Sequence, residues 1–231
     1  MNAQGMLEQL LKSGLSMVEG KGQKPGAASG GGDAGWGKFG AGAAAGGALG
    51  LLLGSKRGRR FGGKALKYGS VAAIGALAYK AYGSWQAQQQ AQAAQSIRPA
   101  PAAEPRTVNL LPAPEVEQHS LAMLKAMIAA AKADGHLDER ERALVEAELG
   151  RIQADADTRR WMEDEVRRPL DPAEVARAAG TPEMGAEMYL ASLLVADETS
   201  FMERAYLDEL ARQLRLPDGL KLELQKQAEA A

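Results

Sequence analysis

Glycine recurs at every fourth position from residue 42 to residue 62: Gly42, Gly46, Gly50, Gly54, Gly58 and Gly62. In an α-helix that spacing places neighbouring glycines on one slowly drifting face, where a second helix can approach closely. The intervening Ala43, Ala44, Ala45, Ala48, Leu49, Leu51, Leu52 and Leu53 are small or apolar. Such a helix is poor in water, because each Gly costs about 1 kcal/mol relative to Ala. In lipid the same pattern is a packing surface. The expected partners are therefore the lipid bilayer and the chain itself, through its Gly-rich helices. A Gly/Ala-rich disordered region is the alternative.

A basic cluster follows, with Lys56, Arg57, Arg59, Arg60, Lys64 and Lys67. Next comes an apolar segment, residues 68–85, with Tyr68 at one end and Tyr79, Tyr82 and Trp85 at the other, as expected of an interfacial belt. Its length as a helix is about 27 Å, just short of a hydrocarbon core of roughly 30 Å. Two arrangements fit: a tight helical hairpin packed through glycines, or one span at 68–85 with the zipper segment against it.

Charge divides the chain. Residues 1–114 carry 13 Lys/Arg against 4 Asp/Glu, a net of +9, while residues 115–231 carry 15 against 25, a net of −10. A basic stretch beside apolar residues suits an anionic membrane surface. Four regions are expected: an amphipathic helix and flexible linker (1–37), a Gly-zipper membrane-associated region (38–85), a Gln/Ala/Pro-rich tether (86–114) and an acidic helical domain (115–231). In the first, Met6, Leu7, Leu10, Leu11, Leu15 and Val18 fall at helical spacing, suited to a partner surface or to a membrane interface. The absence of cysteine excludes disulfides, thiolate metal sites and a Cys nucleophile.

Residues 115–231 read as an all-α, compact seven-helix bundle. One helix spans 115–133 and another 157–168, the latter turning Trp161, Met162 and Val166 inward. Asp138 and Glu141 are spaced as a capping box, as are Ser200 and Glu203. Asp171-Pro172 and Thr181-Pro182 each pair a cap with proline at the first helical position. Pro217 opens the last helix, with Leu220, Leu222 and Leu224 apolar.

The bundle contains an internal helix–loop–helix repeat. Glu141-Arg142-Ala143-Leu144-Val145-Glu146 matches Glu203-Arg204-Ala205-Tyr206-Leu207-Asp208, and each copy follows a helix ending in Ala-Asp, at Ala133-Asp134 and Ala196-Asp197. The repeat suggests a pseudo-twofold domain whose two loops face one another. The run from Ala131 to Glu141, Ala-Lys-Ala-Asp-Gly-His-Leu-Asp-Glu-Arg-Glu, with its echo from Ala196, resembles the tellurite-resistance protein B-like (TerB-like) helical domain. The whole chain resembles the YebE-like bacterial inner-membrane proteins that carry such a domain. The resemblance implies a seven-helix fold and, in some members, divalent-cation binding near the paired loops. By position the ligands would be Asp134, Asp138, Glu141, Asp197 and Glu203. Glu198 stands where the first copy has Gly135, a departure from the motif.

Other chemistry is weakly encoded. Asp138, Glu141, Ser200 and Glu203 have sufficient work as helix caps. Asp134 and Asp197 end helices, where the macrodipole disfavours a negative charge, so Lys132, an arginine, loop amides or a hard cation must compensate. His119 and His136 lack a ligand partner nearby in sequence and read as solvated. The stretch 58–64 imitates a phosphate loop, but Ala65 replaces the required hydroxyl and no strand precedes it. Nor does the basic cluster carry the interleaved aromatics of a nucleic-acid site, so nucleic acid is not an expected partner. No Ser/His/Asp arrangement is legible. The expectation is a membrane-anchored, non-catalytic interaction or cation-responsive module, with a soluble cation-binding domain as runner-up. Charges around 68–85 would put the acidic domain on the outer, periplasmic side of the inner membrane, whereas the resemblance implies a cytoplasmic one.

Overall fold

A computed structural model describes residues 3–8, 71–93, 104–133, 156–196 and 200–230. Its helices are α1 (Val71–Ala93), α2 (Ala113–Ala131), α3 (Ala156–Arg167), α4 (Pro172–Ala176), α5 (Pro182–Leu193), α6 (Phe201–Gln213) and α7 (Asp218–Ala230). A 3-10 turn covers Val108–Leu110, and residues 3–8 are also helical. Among the described residues there is no strand, so the fold is all-α as expected. The helix expected to open at Asp138 lies outside them.

Local chemistry sets several helix starts. The Asp171 carboxylate accepts from the Ala173 amide at 2.9 Å to begin α4. The Thr181 hydroxyl accepts from the Met184 amide at 3.1 Å to begin α5. Both helices have proline in the first turn, where the missing N–H costs nothing. Ser200 departs from expectation: it stands at the N-cap of α6 with extended backbone, but its side chain makes no capping bond. The far end of α6 closes on Arg215, in the left-handed region at φ 55°. Leu216 N–H donates to the Ala211 carbonyl and Arg215 N–H to that of Arg212, which consumes two orphan carbonyls of the last turn.

The centre of the molecule is α5, buried at every position from Met184 to Leu193. It packs against α1, α2, α6 and α7. Its closest companion, α2, lines it with Met123, Leu124, Met127 and Ile128, all inaccessible or nearly so. The two helices run parallel. His119 of α2 meets Glu187 of α5, and two turns further along, the Ala126 carbonyl lies 3.3 Å from Ser192 Oγ. Helices α3 and α4 flank α2, turning Met162, Val166 and Val175 inward, while Trp161 is half-buried.

The largest departure concerns α1, which contains most of the segment expected to span a membrane. Its apolar face is filled by protein. Val71, Ile74, Ala78, Ala81 and Tyr82 are buried in the same core as α2 and α5, and only the opposite face is exposed. That stripe has the i, i+3/i+4, i+7 spacing of a helix packed on one side. Of the expected interfacial aromatics, Tyr82 is buried and Trp85 half-buried, their rings meeting edge to face at 5.9 Å. Trp85 lies over Gly219 of α7, and Gln88 donates to Glu223 of α7 at 3.0 Å. Among the described residues no helix is long and apolar enough to cross a membrane.

Part of the expected tether is packed as well. Pro105, Thr107 and Val108 are buried, and the 3-10 turn lies across α1 at Gly75. A Cβ on Gly75 would come within 2.8 Å of the Asn109 amide nitrogen and 2.6 Å of Val108 Cγ1, which no side chain tolerates. Glycine at 75 is therefore a close-approach residue for backbone on backbone. The packed body runs across both boundaries drawn at 85 and 114.

Candidate functional site

Two features bring polar chemistry together, one in the interior and one along a partly exposed seam, and each depends on which way its helix faces. The first is a buried clasp. Glu187 sits in mid-α5 with no exposed surface, in an otherwise apolar run, so its carboxylate needs partners supplied by neighbouring elements. His119 Nδ1 contacts one oxygen and the Val108 amide donates to the other. The clasp thereby ties α2, α5 and the 3-10 turn at one point. Tyr82 of α1 lies close enough to feel it: burial raises the phenol above its ordinary range, and the negative charges of Glu183 and Glu187 add to the effect.

His119 was expected to be solvated and is 4% exposed instead. The cue for its role lay at a distance, in a lone glutamate within the apolar run Met184 to Leu194. A carboxylate there requires a cation or donor from another helix, and His119 has the matching place on α2. The pair has both a closed geometry and no open face, which suits a structural tie rather than acid–base work.

The second feature is a charge network along the α2–α3–α4 seam. Lys125 of α2 reaches Glu174 at 3.3 Å and Glu165 at 3.9 Å, and Arg168 lies 3.5 Å from Glu174 and 3.8 Å from Glu165. Contacts from Arg177 and then Lys125 hold the Glu174 carboxyl below the usual carboxylate range. Lys132, just past α2, donates to the carbonyls of Glu165 and Arg168 at the end of α3, where the helix dipole favours a cation.

The parallel course of α2 and α5 has a consequence for the expected cation site. Both helices end at the same end of the bundle, with Ala133 and Ala196 buried just beyond them. The family described as "Protein of unknown function (DUF533)" matches residues 38–228. The chain belongs to this family. DUF533 is a TerB-like family, so the expected resemblance stands at that level. The DUF533 match also begins ahead of α1, consistent with α1 sharing the bundle's core. The chain is similar, at 29% identity over 119 residues, to the "Uncharacterized protein in ampR 5'region" of Yersinia enterocolitica, covering 50% of this chain and 86% of the relative. No solved structure matches.

In this DUF533 chain, Asp134, Asp138, Glu141 and Asp197 lie outside the described residues, as do Gly42, Gly46, Gly50, Gly54, Gly58, Gly62 and His136. Glu203 is described: it is buried in the first turn of α6, immediately after the α5–α6 connection. Among the described residues no group of three or more His, Asp or Glu side chains is placed to hold a metal. What the described helices supply is the frame, two parallel helices releasing their following segments at one end.

Proposed function

We propose that this chain is a membrane-associated, non-catalytic helical module that responds to a divalent cation at the end of the bundle where α2 and α5 stop. The observation that carries the reading is the shared parallel register of those helices, fixed by His119 with Glu187 and Ala126 with Ser192. It ends the helices that precede Asp134 and Asp197 at the same end of the bundle, and Glu203 lies in the first turn of α6, which follows Asp197. Hard cations take oxygen ligands, and carboxylates from two connections satisfy that preference. Asp134, Asp138, Glu141, Asp197 and Glu203 would hold the ion, whose charge would offset carboxylates set against helix C-termini. The expected effect of binding is to brace the two repeat units against each other.

Membrane association rests on the glycine period at 42–62 and the basic charge between it and α1. The location proposed is the bacterial inner membrane, as a YebE-like protein, with the bundle on the cytoplasmic side. Since α1 begins only nine residues after Gly62, an anchored zipper segment would hold the bundle directly at the bilayer surface. Burial of α1 favours a second reading in which nothing spans, and the cation module is soluble with its Gly-rich half outside lipid.

Isothermal calorimetry of the full chain with calcium, magnesium and zinc, against an Asp134→Asn/Asp197→Asn variant, tests the cation. Heat that the variant loses supports the proposal; no heat from any of the three removes it. Detergent-free fractionation separates the two locations, since recovery of the whole chain in the soluble fraction favours the second.

A further inference from the structure

We infer that the bundle carries a docking groove for a short amphipathic helix, occupied by the chain's own residues 3–8, and that a lipid surface competes for the same residues. The sequence leaves the N-terminal amphipathic segment with an apolar face and no assigned partner. Ala3 and Leu7 are fully buried and Met6 is 3% exposed, with Met6 and Leu7 joined to the main core. Glu8 remains exposed. The partner of this face is therefore the bundle.

A specific clamp fixes the segment's start. Glu117, in the second turn of α2, accepts from the Ala3 amide at 2.6 Å and from the Gln4 amide at 3.1 Å. The carboxylate satisfies two of the amides that the first turn of a helix leaves unpaired, and its charge is favoured by the dipole there. It acts as an N-cap supplied from more than a hundred residues away. The groove thus selects two features together: free amides at a helix start, and apolar side chains three and four residues on.

Occupancy is exclusive. Met6 and Leu7 are the apolar residues an interfacial helix would bury in lipid, and they are already buried in protein. Among the described residues, the dock joins the buried Ala3, Met6 and Leu7 to one carboxylate clamp at Glu117. Docking and lipid insertion are alternative states of one segment, linked by mass action. Lipid therefore empties the groove, and loss of the Glu117 clamp favours lipid.

The chain has no cysteine, so Glu8→Cys/Gln118→Cys can carry two spin labels at exposed positions, and the distance between them reports docking. In the full chain, the expected result without lipid is one narrow, short distance. Phosphatidylglycerol/phosphatidylethanolamine vesicles broaden and lengthen it. Adding Glu117→Ala lowers the lipid needed by roughly threefold to thirtyfold, the range expected for loss of a cap. A distance that stays narrow at saturating vesicles in both backgrounds overturns the inference, as does a broad distance in the unsubstituted background before lipid is added.

The inference rests on the proposed lipid contact only in part, and co-sedimentation with the same vesicles separates the two. If the chain sediments while the distance stays narrow, anchoring stands and the exchange fails. If sedimentation appears only with Glu117→Ala, the exchange stands and anchoring through residues 42–62 fails. If neither chain sediments, both fail.

Discussion

Helices α1 and α5 are both apolar runs in sequence, yet they occupy their bundle differently. α5 is buried on every side and carries a glutamate at its middle; α1 is buried along one stripe and carries none. The contrast shows that an apolar run is a demand for burial and does not name what buries it. α5 meets the demand with four helices around it and satisfies Glu187 through His119 and Val108. α1 meets it with α5, α7 and the 3-10 turn on one side only, using small residues that let backbone approach backbone. Small residues suit close helix packing in lipid, and they suit it equally against a protein core.

The comparison breaks most visibly at the clasp. Glu187→Ala leaves His119 and the Val108 amide buried without their partner, and the expected cost is about 3–5 kcal/mol by urea denaturation. His119→Leu/Glu187→Leu recovers part of that loss, because two apolar groups replace the polar pair. The Val108 amide still lacks an acceptor, so recovery stays incomplete. Full tolerance of Glu187→Ala would mean that α5 is less enclosed than described.

Glycine substitutions sharpen the α1 side. Gly75→Ala drives a Cβ into Val108 and Asn109 and is expected to cost about 1–3 kcal/mol despite the better helix propensity of alanine. Gly83, with nothing within 4 Å of its would-be Cβ, gains up to about 1 kcal/mol on replacement by alanine. Equal effects at the two positions in thermal melts would remove the close contact between α1 and the turn.

Caps give a smaller effect. Thr181→Ala, at the start of α5, is expected to cost about 0.5–2 kcal/mol, whereas Ser200→Ala, where no capping bond is made, falls within about 0.5 kcal/mol of zero. Chemical denaturation of the two variants side by side checks the difference.

What could be read from sequence divides along the same line. The caps at Asp171 and Thr181 and the inward placing of Met162 and Val166 were legible, because each depends on neighbours within a turn or two. The Ser200 box was misread: the residue has the right place and backbone, but its hydroxyl does not bond the helix start. His119 and Glu187 stand 68 residues apart, and Gln88 and Glu223 stand 135 apart. No local pattern joins such pairs. The destination of α1 was hidden for that reason, since the surface that covers it is assembled from α5, α7 and the turn. For the expected cation site, Asp134, Asp138, Glu141 and Asp197 lie outside the described residues, and the parallel register of α2 and α5 fixes only where the helices before Asp134 and Asp197 end.

The smallest expected effect is a pH dependence, at the α1–α7 junction and on α6. The Lys226 ammonium and then Gln88 hold Glu223 below the ordinary carboxylate value of 4.5, and Arg212 with Gln213 holds Glu209 down to about 2. A carboxyl lowered by folding contributes stability above its unfolded value and loses it as pH falls toward the folded one. Stability should therefore decline as pH drops below about 4.5. Glu223→Gln should lower stability at neutral pH and flatten that decline slightly in acid melts, whereas an unchanged slope would separate Glu223 from the junction.

The most direct test asks where α1 resides when the protein is in its cell. With no native cysteine present, Gln88→Cys/Glu223→Cys in the full chain offers one thiol pair to a short bifunctional maleimide. A high-yield intramolecular cross-link, in whichever cell fraction holds the protein, is the predicted result. Failure to cross-link, together with capture of an Ala78→Cys variant by a lipid-phase thiol probe, would place α1 in the bilayer and contradict it.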